Sequence, residues 1–579
     1  MPGGSCRVFA TTAATRDATP TPPPLPLRAA LRWPFLVFCV FAALTFVVQG
    51  PSLQGPFISD DFKDIVNNPF LRGISASNIV EIVDPWGDAR HFTANYAPVH
   101  LLAHMSERLF FGNDVLGYHV VNICVHALNA TLFLLLLERS RVPRTAALLG
   151  AAFFALHPAN VEAVAWISQL KTCGALAFAL GALLALPRRR VLSALLFALG
   201  LLTKTSAVAA LPMAAAFMLT RRSSKRDWRT LAVWGAIFVA YAIPQLGTYA
   251  GIAAYEVPAY ADPLVHARSI LAFWMRYLAM AVSGYGLSAF HEPPYALSVL
   301  DPWWLGGLAA TGLLGLRTLW CLHARREEAA YWLGAAAGFA PVSQIFPFLY
   351  PLGDRYLYFI LPGLVGGTLL WGLSAYARLE AAARGRRVRF PTPGLVRVTA
   401  QIGSLVALAA FAAMSAQRAQ LWVDEQRLLD DAVNNYPDGE TAAYRLACEA
   451  GRAGDADRAL AALKRSAARG VYHFDALLSG PCFAPIRHDP EFRSYAFARA
   501  QRWLDEAERR GVETQAVLRS IAHTNEQLGR YQKARAAYVR ALEIGGPLQP
   551  EIRRELAAVR ERIAERKSQR RARDGAGRR

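Results

Sequence analysis

The stretch PFLVFCVFAALTFVVQGPSLQGPFISDD, Pro34 to Asp61, decides the fold. From Pro34 to Gly50 it carries no charged side chain, and a bilayer-crossing helix takes about 17–25 such residues. Arg28 and Arg32 precede the run, after the Pro-rich stretch TPTPPPLP at Thr19 to Pro26. No small-residue cleavage site follows in VVQGPSLQGP, so the run is expected to be an uncleaved first span and not a removed leader. An acidic pair, Asp60 and Asp61, stands just beyond it.

Working outward, apolar runs recur through Met414. Eleven candidate spans centre near Ala42, Ala127, Ala151, Ala179, Leu196, Ala214, Ile237, Thr311, Ala337, Leu364 and Ala407. The whole chain agrees. With 579 residues, 54% hydrophobic, 18% charged and a mean hydropathy of +0.21, it is too apolar and too charge-poor for a soluble domain. The expected class is all-α: a polytopic helix bundle followed by a soluble helical repeat region. The divisions are a cytoplasmic N-terminal segment 1–33, a transmembrane domain 34–415 with its first outer loop at 51–115, a repeat domain 416–550 and a basic tail 551–579.

The formal net charge is +20, yet its arginines cluster between apolar runs, as in cytoplasmic loops, so no nucleic-acid partner is expected. The clusters are Arg139/Arg141/Arg144, Arg188/Arg189/Arg190, Arg221/Arg222/Lys225/Arg226/Arg229, Arg317/Arg325/Arg326 and Arg378/Arg384/Arg386/Arg387/Arg389/Arg397. The opposite side holds few cations. This bias requires that an ambiguous helix at His266–Ala289 lie against the bundle without crossing, because a crossing would throw two arginine clusters outside. The N-terminus is then cytoplasmic and the C-terminal domain periplasmic or lumenal. High Ala, Arg and Gly content points to a GC-rich bacterial genome, hence an inner membrane.

After Met414 the pattern turns amphipathic. Gln515–Leu548 fits a 34-residue tetratricopeptide (TPR) period through Ala522, Gly529, Tyr531, Ala534, Tyr538 and Ala541, and a degenerate copy spans Glu440 to about Tyr472. Between them FDALLSGPCFAPIRHDPEF reads as an irregular insert or a helix pair with a loop. Two repeats are few for an independent array, so the domain is expected to lean on the membrane domain or on a partner. Seven cysteines indicate no metal or disulfide framework, although Cys448 and Cys482 could meet in the soluble half. The tail ends RRARDGAGRR and reads as a frayed solvated helix end or as a surface for anionic lipid.

Adjacent carboxylates at a membrane edge cost desolvation and repel each other, so Asp60 and Asp61 suit a base, a metal or a cationic substrate; exposed acidic pairs are equally common as plain loop residues. His119, Asn122, His126 and Asn129 recur at i, i+3, i+7 and i+10, one polar helix face suited to interhelical hydrogen bonds. His100 and His104 are four apart, but Leu101 stands where a zinc protease has its glutamate, so no metal site is expected. The acidic pair lacks D-x-D spacing, and a divalent ion is not indicated. There is no P-loop, GxGxxG or triad signature.

The runs DDFKDIVNNPFLRG, NYAPVHLLAHMSERLFFG, GYHVVNICVHALNA, FALHPANVEAVAWISQLK, LGLLTKTSAV and DRYLYFILPGL, in that order from about Gly55 to Gly363 with TPR-like repeats behind them, resemble the TPR-containing O-mannosyltransferase family and its bacterial relatives. The acidic pair in the first outer loop is similar to the mark of the GT-C class of polyprenyl-phosphate-sugar-dependent glycosyltransferases. The resemblance implies a GT-C-like membrane fold, a lipid-phosphate sugar as donor, no further cofactor, and an acceptor hydroxyl, often on protein Ser or Thr, reached through the TPR domain. It carries the acceptor-side base onto Asp60, with Asp61 as second candidate. The donor phosphate in such an inverting displacement needs cations, for which Lys171, Lys204, Arg276 and Arg355, all on the expected outer side, are the candidates. Asp354 beside Arg355 serves either the substrate or a helix cap, and His157 and Glu162 of HPANVE either touch substrate or end a helix. Thr172 and Thr205 stand after the two lysines where relatives tend to be acidic. Two other classes stay open, a non-catalytic TPR scaffold on a membrane anchor and a transporter of lipid-linked intermediates.

Overall fold

The computed structural model describes residues 27–221, 223–251, 262–345, 350–385, 393–467, 474–511 and 513–576, all helix, turn or loop with no strand among them. The Pro-rich stretch before Leu27, Arg222, Arg386, Arg387, Arg389, Tyr472 and the last residues of the tail lie outside the described residues. The first long helix α1 (Leu27–Gln49) leads into a loop with three short helices, α2 (Ala76–Val83), α3 (Asp88–Thr93) and α4 (Pro98–Phe111). The bundle continues with α5 (Val115–Arg139), α6 (Arg144–Leu156), α7 (Val161–Ala165), α8 (Leu170–Ala185), α9 (Arg190–Leu201) and α10 (Ala210–Arg221). It ends with α11 (Lys225–Gly251), α12 (Pro263–Ser283), α13 (Pro302–His323), α14 (Glu328–Phe339), α15 (Asp354–Gly385) and α16 (Pro393–Ala419).

The chain is an integral membrane protein: among the described residues seven helices are long and apolar enough to cross a bilayer, α1, α5, α8, α11, α13, α15 and α16, or eight if the bent pair α6 and α7 is one span. The expected eleven spans are corrected here. A helix stands at each of the eleven centres, but α9, α10 and α14 have 12 residues each and α6 has 13. At 1.5 Å per residue these cover about 18–20 Å of a hydrocarbon core about 30 Å thick. Pro158 stops α6 and bends the chain by 49° into α7, and extended backbone at Lys204 separates α9 from α10. The short helices survive by close packing. Gly363 of α15 presses on α14 so tightly that a Cβ there would sit 2.4 Å from the Ala335 nitrogen.

Both ends of α12 meet the same end of the bundle. Near its start His266 reaches the Gln344 carbonyl between α14 and α15; just past its end Gly284, in the left-handed region at φ 67°, packs on Pro158, Phe411 and Met414. The helix therefore lies along that end, as the charge bias requires. At the other end Arg139, Arg141, Arg188, Arg221, Arg325 and Arg326 gather round one cleft.

The C-terminal region holds α17 (Glu425–Asn435), α18 (Glu440–Arg452), α19 (Ala456–Ala467), α20 (Phe474–Ser479), α21 (Pro490–Arg510), α22 (Gln515–Gln527), α23 (Tyr531–Ile544) and α24 (Gln549–Ala576). Helices α18/α19 and α22/α23 form hairpins, with Ala447, Ala459, Ala522, Ala534, Tyr538 and Ala541 buried where a repeat pattern needs small or plugging side chains. Cys448 and Cys482 are joined in a disulfide, Cα to Cα 5.1 Å. The division at residue 551 falls inside α24, whose Ile552, Leu556 and Val559 are buried against α22 and α23. This last unit folds back onto the first loop: Phe92 enters its core and Arg72 pairs with Glu551.

Candidate functional site

Ser59, at φ 50° in the left-handed region that a side chain rarely adopts, turns the chain sharply before the acidic pair. The turn sends the two carboxylates in opposite directions. Asp60 stays at the surface, 42% exposed, with the Lys63 ammonium 3.6 Å away. Asp61 is fully buried and accepts the Ile58 N–H at 3.0 Å and the Ser168 N–H at 2.8 Å, one on each oxygen. Burial raises its carboxyl to about 7 against the pull of those two donors. Asp64, one turn on, is buried beside Lys171 at 3.2 Å and His100 at 3.7 Å. Burial works against its charge, but Lys171, His100 and Lys63 together outweigh it and hold Asp64 well below the carboxylate range. His100 is pushed down to about 3 by burial and by His104.

The acidic turn docks on an irregular segment, His157 to Thr172, in which α6 ends, α7 makes a single short helix, and α8 begins. Its backbone carbonyls need donors inside an apolar bundle, and the polar stripe of α5 supplies them. Asn122 donates to the carbonyls of Val164, Trp166 and Ile167 at 3.2, 3.2 and 3.3 Å. Asn129 donates to the Cys173 carbonyl at 2.8 Å, His126 Nε2 to Ala155 at 3.0 Å, and His119 Nε2 to Gly55 at 3.0 Å. With Nε2 protonated, His126 Nδ1 accepts the Tyr358 hydroxyl at 2.8 Å, tying α15 into the same clamp.

Three cations converge on this segment. Lys171 is engaged by Asp64. Arg355, at the start of α15, pairs with buried Glu162, which also accepts the Arg355 N–H at 2.7 Å; its guanidinium lies over Tyr356 at 4.7 Å and Trp166 at 5.3 Å. Lys204 donates to Thr172 Oγ1 at 2.7 Å and lies 5.9 Å from the Tyr356 ring. Among the described residues no carboxylate stands within ion-pair distance of Lys204.

The remaining sequence candidates sit elsewhere. Arg276 stacks on Trp303 at 4.4 Å, away from these cations. His157 caps the turn after α6, accepting the Ala159 N–H at 3.2 Å and donating to the Ala281 carbonyl at 3.1 Å, so both ring nitrogens hold structure. Asp354 accepts from His291 Nε2 at 2.7 Å and stands 3.6 Å from Arg418; His291 Nδ1 meets the Tyr436 hydroxyl of the C-terminal domain at 2.9 Å. Sequence reasoning missed Asp64, Thr172, His291 and Arg418. Asp64 carried a signal, three and four residues after the acidic pair on one helical face; His291 and Arg418 carried none, being brought in from distant parts of the chain. Among the described residues no three His, Cys, Asp or Glu side chains group to hold a metal.

No protein-family model matches the chain. It is 32% identical over 139 residues to the protein O-mannosyl-transferase Tmtc1 of Drosophila melanogaster, which covers 23% of this chain and 16% of that protein. It is 28% identical over 199 residues to a protein O-mannosyl-transferase of Caenorhabditis elegans (33% and 29%) and 31% identical over 133 residues to human TMTC1 (22% and 15%). The chain thus spans less than a third of the length of these curated relatives. Among solved structures it is similar to ArnT from Cupriavidus metallidurans, determined with undecaprenyl phosphate bound, with a TM-score of 0.33 and 15% identity over 71% of this chain and 80% of that one.

Proposed function

We propose that this protein is a membrane glycosyltransferase that moves a sugar, a mannose-like hexose, from a polyprenyl phosphate to an acceptor hydroxyl, as the names of its relatives suggest. The observation that carries the reading is a division of labour. One carboxylate of the acidic turn is left accessible, and a cation with no carboxylate partner stands on the segment where that turn docks. Asp60 takes the proton of the acceptor hydroxyl as its oxygen forms a bond to the anomeric carbon, the carbon–oxygen bond to phosphate breaks from the opposite face, and the phosphate leaves with the electron pair. Lys204 and Arg355 neutralise that phosphate, Arg355 being steadied by Glu162 and Lys204 by Thr172. One displacement inverts the configuration. Asp61 and Lys171 hold the turn and the segment in register, and the chemistry asks for no metal because the two cations supply the positive charge.

The site end of the bundle also carries the C-terminal domain and its disulfide, a bond that forms in exported compartments, which supports an outer-face, periplasmic reaction with the N-terminus in the cytoplasm. The helical hairpins stand where a protein acceptor would be presented.

The test is transfer of labelled sugar from a panel of polyprenyl-phosphate hexoses by the purified protein in lipid discs, beside Asp60→Asn. Turnover by the parent and a loss of roughly 10²–10⁴-fold in the variant, with unchanged melting temperature, is expected. Donor binding without turnover by the parent would overturn the transferase reading in favour of a scaffold or a transporter.

A further inference from the structure

At the end of the bundle opposite the acidic turn, the tips of α5, α8, α10, α13 and α14 and the middle of α15 enclose a cleft of about 1190 Å³. Six arginines line it: Arg139, Arg141, Arg188, Arg221, Arg325 and Arg326. Only two carboxylates do, and both are spent. Glu327 gives its two oxygens to Arg221 at 2.7 and 2.5 Å, and Glu328 gives its two to Arg317 at 2.7 Å each, with the Trp332 indole N–H at 3.0 Å on one of them. Among the described residues, the other five arginines have no carboxylate within ion-pair distance. Arg139 reaches the Leu184 carbonyl at 2.9 Å, and Arg326 lies over the Trp320 ring at 4.9 Å.

The general preference for basic cytoplasmic loops explains why arginines occur here, but not why they converge on one cavity. Like charges crowded at the low-dielectric edge of a bundle repel, and the arrangement is costly unless an anion shares it. Backbone geometry adds a second cost. Arg141 at φ 60° and Arg325 at φ 53° occupy the left-handed position just past α5 and α13, where glycine is the usual residue. Both strained positions carry an arginine on the cleft wall. The rest of the lining is uncharged apart from the two glutamates: Leu184, Leu370 and Leu373, with Ser140, Thr220 and Ser374.

We infer that this cleft binds a phosphate-bearing anion, and specifically the headgroup of a phospholipid carrying two phosphates. Five arginines without a carboxylate exceed what a single phosphate neutralises, and the lining leucines belong to α8 and α15, two helices long and apolar enough to cross a bilayer, so acyl chains would find apolar surface there that a soluble anion cannot use. Arginine forks match phosphate oxygens in pairs. Basic pockets between membrane helices are a general mode of lipid recognition. The site is remote from the acidic turn, so the inference stands apart from the transferase reading.

The full-length protein, purified in a neutral detergent, would be titrated with diphosphatidylglycerol, phosphatidylglycerol, phosphatidylcholine and sodium pyrophosphate, reading bound lipid by native mass spectrometry and unfolding temperature by intrinsic fluorescence. Diphosphatidylglycerol is expected to bind at least tenfold tighter than phosphatidylcholine, to raise the unfolding temperature, and to lose that advantage in the doubly substituted Arg188→Gln/Arg325→Gln protein. Both positions are exposed, so the variant should melt as the parent does in phosphatidylcholine, which separates lost binding from lost folding. Equal binding of phosphatidylcholine, or a variant that keeps the preference, overturns the site. Pyrophosphate that stabilises as much as the lipid overturns the lipid assignment, since the source of the phosphate would then be soluble.

Discussion

Two aspartates that are neighbours in sequence face different environments, and substitutions should separate them. Asp61→Ala strands two buried backbone donors, Ile58 N–H and Ser168 N–H, at roughly 1–3 kcal/mol each, so a marked fall in unfolding temperature is expected, whereas Asp60→Asn should leave that temperature alone. The pH dependence has a definite sign. The folded carboxyl of Asp61 is pushed up to about 7, above the ordinary aspartate value of 3.8, so its contribution to stability is fully present below about pH 4 and is lost as pH rises through 7. Melting curves from pH 4 to 8 check this, since the part of the decline due to this group should vanish in Asp61→Ala. The acidic pair stood out in the sequence, with both members as candidates. Which member turns inward was not legible, because that is set by the left-handed backbone at Ser59, a residue type with no special claim to that conformation.

Elements were legible where a periodicity exists. The spacing of His119, Asn122, His126 and Asn129 gave a stripe on one face of α5; in the structure Asn122 donates into the His157–Thr172 segment, His126 and Asn129 to Ala155 and Cys173 on either side of it, and His119 to Gly55. Asn122 is the centre of the stripe, with one amide shared among three carbonyls. Asn122→Leu keeps α5 apolar and helical but removes those donors. Amide exchange in residues 157–172 should speed up by an order of magnitude or more while the exchange of α13 is unchanged, and a segment that stays equally protected would refute the clamp. The count of spans was less legible. Hydropathy sums across a bend, so α6, α9, α10 and α14 read as full crossings although proline or extended backbone cuts them short. The breaks at Pro158 and Lys204 are also where Glu162, Lys171 and Lys204 gather, because irregular backbone at membrane depth is tolerated where it lines a site.

At the scale of the whole molecule the sequence divides into an apolar and a polar half but holds no local sign of how they meet, since the joining residues lie far apart along the chain. The joint is built from borrowed contacts. Helix α18 begins at Gly439, which has no side chain to cap the exposed N–H groups of the first turn, and Glu292 from the loop after α12 caps them instead. Its carboxylate accepts the N–H groups of Glu440 and Thr441 and the Thr441 hydroxyl, and Gly439 has no room for a Cβ beside it. A negative charge at a helix N-terminus is worth about 0.5–2 kcal/mol as a cap, enough to shift docking but not to unfold either half. Next to it the His291 ring bridges Tyr436 to Asp354, one residue from Arg355, so the C-terminal domain is tied to the start of α15. Glu292→Ala is therefore expected to increase protease cutting between α17 and α18 and to raise the KM for a protein acceptor. Turnover of a small free acceptor, which in the proposed mechanism needs only Asp60, Lys204 and Arg355, should be nearly unchanged. An equal loss for both acceptors would mean that the joint shapes the site itself, and unchanged cutting would mean that Glu292 does not hold the two halves together.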